Sequence, residues 1–132
     1  MLNNISSQAL IEEPAVFKQV EWLVQQARLE PADSAKAWAW LEAAHIVGQT
    51  RFTLHCHVHC QILLRASTEN KGTEVLAQLL RLALTPFGHL LQRLPLGNPG
   101  SSRAGIFDDM PVPEHLITFI HQSRSIIKGE IS

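Results

Sequence analysis

No apolar run in the 132-residue chain approaches the length of a membrane span. The N-terminal stretch lacks the basic start and apolar core of a secretory signal. Neither sign of charge dominates, with eleven Lys and Arg against twelve Asp and Glu and no basic run. That balance argues against nucleic acid or an anionic membrane as partner, so a soluble, cytoplasmic protein is the expectation. Cysteine is scarce: Cys56 and Cys60 are the only two, four residues apart. On a helix that spacing is too wide for an unstrained disulfide, which predicts free thiols packed as small hydrophobes. No fixed-period repeat is present, and the length is that of one domain spanning residues 1–132. Its ends, 1–7 and 129–132, are expected to be loose.

What the chain does have is histidine, concentrated between Glu42 and Cys60, where four of its seven histidines and both cysteines lie. Two readings of this segment compete. Phe52, Leu54, Cys56, Val58, Cys60, Ile62 and Leu64 alternate with Thr53, His55, His57, His59 and Gln61, a period of two that suits a strand. Wound as a helix, the same residues stack His55 and His59 on one face with Phe52, Ile62, Leu63 and Ala66, and send His57 to the far side. The neighbours favour the helix. Ala35 to His45 is rich in helix formers, Glu74 to Leu84 is helical by composition, and no convincing strand partner exists elsewhere.

The chain is therefore expected to be all-α, with about five helices in antiparallel hairpins that loosely resemble a tetratricopeptide arrangement. The first runs from Gln8 to Leu29, with Pro14 at its start or first turn and Leu10, Val16 or Phe17, Val20, Leu23, Val24 and Ala27 on its apolar side. Asp33 or Ser34 caps the second, Gly48 ends it, and the third spans about 51–66. Gly72 or Thr73 leads into the fourth, with Val75, Leu76, Leu79, Leu80, Leu82 and Ala83, which Pro86 and Gly88 break. A long loop follows over 95–113, and Pro113 opens the last helix, Glu114 to about Lys128.

A short link between the second and third helices makes them antiparallel neighbours, so that His45, late in one, approaches His55, early in the other. Glu42 and His45 present a carboxylate and an imidazole from one helix face, and His55 and His59 add two imidazoles from the next. Glu42, His45, His55 and His59 thus form a candidate site for zinc, iron, copper or nickel, with room for water or a small-molecule ligand. The structural alternative is a set of histidines that bridges two helices through hydrogen bonds. His57, His89, His115 and His121 are each expected to be structural, Asp108 and Asp109 solvated, and Gly97-Asn98 with Gly100 a plain turn. A second functional class is a helical interaction module that meets a protein partner through Trp40 or the 95–113 loop.

The run Leu41-Glu42-Ala43-Ala44-His45-Ile46-Val47-Gly48-Gln49, followed by His55 and His59, Gln78-Leu79-Leu80-Arg81-Leu82, Pro95-Leu96-Gly97-Asn98 and Met110-Pro111-Val112-Pro113, resembles a family of small bacterial proteins catalogued as a domain of unknown function. The resemblance spans roughly residues 38–116. It implies a helical fold, points to Glu42, His45, His55 and His59, and brings no established activity. The family's usual Gly-Asn-Thr-Gly-Gly loop is replaced by Gly97-Asn98-Pro99-Gly100-Ser101, and Cys56, His57 and Cys60 lie outside the pattern.

Overall fold

Helix-forming composition and amphipathic spacing prevail over the period-two alternation throughout. A computed structural model describes residues 2–91, 98–101 and 111–129, with side chains from residue 15 onward. Five helices lie among the described residues: α1 (Leu2–Leu29), α2 (Ala35–Gly48), α3 (Phe52–Thr68), α4 (Gly72–Leu90) and α5 (Glu114–Lys128). No strand occurs among the described residues, so the chain is all-α as expected. Among those residues no helix is long and apolar enough to cross a membrane.

The helix ends mostly follow the sequence signals. Ser34, rather than Asp33, caps α2 by accepting from the Ala37 amide, while Asp33 adopts a left-handed φ of 60° just before it. Pro113 immediately precedes α5, and Gly129 closes that helix in the left-handed conformation; 130–132, expected to be loose, lie outside the described residues. Two expectations need correction. The first helix begins at Leu2 rather than Gln8 and runs through Pro14. Gly48 ends α2 as expected, with the following Gln49 right-handed. Its role is close approach, because a Cβ there would lie 3.2 Å from Val20 Cγ2 and 3.3 Å from Leu54 Cβ. Finally, α4 does not stop at Pro86; it continues to Leu90, carrying His89 with it. The proline forfeits one backbone hydrogen bond, and the last turn gains contacts from His89 to His55 and to the Phe52 ring.

The core joins Val20, Leu23, Val24 and Ala27 of α1, Trp38, Trp40, Leu41, Ala43 and Ala44 of α2, and Leu54, Val58, Ile62 and Ala66 of α3. Burial of side chains such as Leu23 and Ile62 contributes roughly 1.5–3 kcal/mol each. Trp40 lies inside this core, edge-on to Trp22 and Phe119. It is therefore unavailable as the exposed partner contact that the sequence suggests. Long-range pairs fix the helix directions: Trp38 Nε1 donates to Glu69 near one end of the α2–α3 pair, and His45 meets His55 near the other. Likewise His59 meets Gln78 and His55 meets His89, so α3 and α4 are antiparallel too. The tetratricopeptide likeness gains no support from this packing, since α5 folds back onto α2 and α1 and closes the bundle instead of extending an array.

Arg65 ties the end of α1 to α3. Its guanidinium donates to the carbonyls of Ala27 and Glu30, both at 3.2 Å, to the Pro31 carbonyl, and to Glu69 Oε2 at 2.5 Å. The Ala27 and Pro31 carbonyls also accept from the Glu30 and Ser34 amides, so the guanidinium adds a cationic donor at the negative end of the α1 dipole.

Candidate metal centre

The phase of α3 places His55 and His59 one turn apart on the side facing α2 and α4, and the antiparallel α2 brings His45 between them. The three Nε2 atoms converge. His45 lies 3.0 Å from His55 and 3.2 Å from His59, and His55 and His59 are 3.1 Å apart. All three residues are buried. Nitrogens held about 2.0–2.1 Å from one ion stand roughly 3.3 Å apart in a tetrahedron and roughly 2.9 Å apart on an octahedral face. The observed triangle falls between these two geometries.

The opposite ring nitrogens decide where the protons sit. His45 Nδ1 is 2.7 Å from the Asn98 carbonyl oxygen, which can only accept, so Nδ1 carries the hydrogen and Nε2 a lone pair. His59 Nδ1 is 2.6 Å from Gln78 Oε1. The Gln78 amide is oriented by its own NH2 group, which donates to Glu74 Oε1 at 2.6 Å and to the Gly100 carbonyl at 2.8 Å. Its oxygen therefore faces His59, whose Nδ1 must donate. His55 Nδ1 pairs with His89 Nε2 at 2.9 Å and presents its Nε2 lone pair once it donates there. Neutral His45 and His59 thus direct two lone pairs at one another, and a hydrogen on His55 Nε2 is the one ring proton left to share between them.

Protonation is a poor remedy. Burial, reinforced by His59 and His55, drives His45 well below the ordinary imidazole range. Burial, with His59 and His89 beside it, lowers His55 to about 3. Burial also brings His59 down to about 4, against the opposing effect of the Gln78 hydrogen bond. Three neutral imidazoles facing inward are the preferred state, a donor set that suits a cation other than a proton.

The covering segment 98–101 is buried and packs directly on the rings. Gly100 has φ +81°, and a Cβ there would stand 2.4–2.7 Å from atoms of the His45 imidazole. Only glycine fits so close to the ring. The Gly100 amide also donates to Asn98 Oδ1 at 2.9 Å, folding the segment so that the Asn98 carbonyl points to His45. A plain turn at Asn98 and Gly100 does not by itself foresee this packing on His45; Gly97, the rest of the 95–113 loop up to Met110, Asp108 and Asp109 lie outside the described residues.

Glu42 is 1% exposed, one turn before His45, but the group of converging donor atoms consists of the three imidazoles alone among the described residues. His57 sits apart, 3.6 Å from Glu21. His115 and His121 are exposed. The cysteines are free, and Cys60 is exposed rather than packed. The sequence reading does not single out Gln78, Glu74, Asn98, Gly100 or His89 as partners of these rings. One signal is readable: Glu74, Gln78, Arg81 and Thr85 recur at helical spacing through an otherwise apolar segment, and all four are buried.

Neither a curated protein nor a solved structure matches the chain. A family model does, over residues 15–120, under the description "Protein of unknown function (DUF3703)". The helices that carry the three histidines, their orienting partners and the covering segment all lie within that match. The chain belongs to the DUF3703 family.

Proposed function

We propose that the protein binds one divalent transition metal through Nε2 of His45, His55 and His59. The observation that carries this reading is the convergence of three buried imidazole nitrogens whose opposite nitrogens are held by Asn98, Gln78 and His89. Histidine ligands in metal sites are generally oriented by such partners, which fix the tautomer and raise basicity. A three-imidazole set suits zinc, iron(II), copper(II) or nickel.

Glu42 belongs to the proposed site as an enclosed carboxyl group one turn from His45, and in its ionised form it offsets the charge of the ion. Three protein donors leave a position for water or a small-molecule ligand, and a bound metal there supplies Lewis acidity or an activated water. A metal-dependent enzyme is the corresponding catalytic reading. The chain's own residues hold the imidazoles neutral, fix their orientation and enclose them.

Elemental analysis of the purified protein tests the proposal. One metal per chain is expected, lost in His55→Ala/His59→Ala and retained in His115→Ala. Wild-type protein that stays metal-free when titrated with zinc, iron(II), copper(II) and nickel, with its melting temperature unchanged, would sink it.

A further inference from the structure

Helix α4 is polar on its inner side and apolar on its outer side. Glu74, Gln78, Arg81 and Thr85 form the buried stripe, while Leu76, Leu79, Leu80, Phe87 and Leu90 are exposed, Leu76 to 70% and Leu90 to 79%. The helix cannot rotate to bury its leucines, because Gln78 is committed to His59, Glu74 and Gly100. Among the described helices, α4 packs on α3 alone.

We propose that this face is the isologous interface of a homodimer, with α4 of one copy antiparallel to α4 of a second. Three features favour another copy of this chain. The first is area. Together with the adjoining Leu91, the exposed side chains present on the order of 600 Å² of apolar surface, at the top of the range for a monomer's largest patch. That approaches the roughly 800 Å² that each partner contributes to a standard interface.

The second feature is charge. The ionisable residues of α4 are Glu74, Arg81 and His89, and none of them is fully exposed, so the face can meet itself without repulsion.

The third feature is spacing. Leu76, Ala83 and Leu90 recur every seven residues, with Leu79 and Phe87 between them, the repeat of a helix-pairing seam. The pattern is symmetric about Ala83: an antiparallel pair sets Leu76 against Leu90 and Leu79 against Phe87, with the small Ala83 at the two-fold axis. A membrane surface is the weaker fit, because an interfacial helix needs a basic polar flank and Arg81 is buried.

Sedimentation of the wild-type chain at concentrations from about 5 to about 200 µM is expected to give twice the 14.7 kDa chain mass. Leu80→Glu, at an exposed position, is expected to weaken the dimer by roughly 100-fold or more, since each dimer gains two like charges. In a Cys56→Ser/Cys60→Ser background, oxidation should cross-link Ala83→Cys and leave Leu76→Cys uncross-linked. A monomeric wild type, a dimer indifferent to Leu80→Glu, or a cross-link at position 76 without one at 83 would each overturn the proposal. So would a monomer that floats with anionic phospholipid vesicles.

Discussion

Gly100 and Gln78 act on the site through the histidines they touch. A methyl group at Gly100 would overlap the His45 ring and require a left-handed backbone that alanine resists. Gly100→Ala is therefore expected to cost about 2–4 kcal/mol in chemical denaturation and to weaken metal binding at least about tenfold. Wild-type affinity in that variant would contradict the assigned contact. Gln78→Leu removes the acceptor that fixes His59 and leaves its Nδ1–H unpaired. Metal affinity should fall by roughly 10–100-fold, as measured by competition with a chelator.

At the scale of elements, α3 and α4 show how two periodicities can mislead in different ways. The alternation from Phe52 to Leu64 is real, but a strand needs neighbours to pair with, and the flanking segments supply helices instead. In α4 the leucines suggest an inward apolar face, whereas the polar stripe faces inward, where Gln78 meets the imidazole of His59. A buried ring N–H left without an acceptor costs about 1–3 kcal/mol, comparable to the cost of a leucine left in water. Arg65 gives a prediction at this scale. Arg65→Ala strips cationic donors from the Ala27 and Glu30 carbonyls and from Glu69, at an expected cost of about 2 kcal/mol in urea denaturation. Metal stoichiometry should be unchanged, and a variant as stable as wild type would show that the α1–α3 tie contributes nothing.

For the whole molecule, metal and proton should act on stability in opposite directions. A ligand that binds only the folded chain, at a free concentration of about one hundred times Kd, stabilises it by about 2.7 kcal/mol, or roughly 10 °C in Tm for a domain of this size. Chelation should reverse that rise in a thermal melt. In the metal-free protein, the folded-state values of about 3 for His55 and about 4 for His59 lie below the ordinary 6.5. The unfolded chain therefore takes up protons first as pH falls. Stability is fully present above about pH 6.5 and declines below it, by up to about 1.4 kcal/mol per pH unit for each imidazole. Urea midpoints measured near neutrality and at about pH 5 check the sign, and a midpoint that rises on acidification would contradict it.

The sequence by itself determined the helices, the single-face pairing of His55 with His59 and the approach of His45, because helical phase and a short connection are local properties. Only the tertiary structure decided that Asn98, Gln78 and His89 orient those rings, that Gly100 lies against one of them, and that α4 turns its leucines outward. Those relations join residues far apart in the chain, and no local periodicity encodes which distant carbonyl will meet a given imidazole.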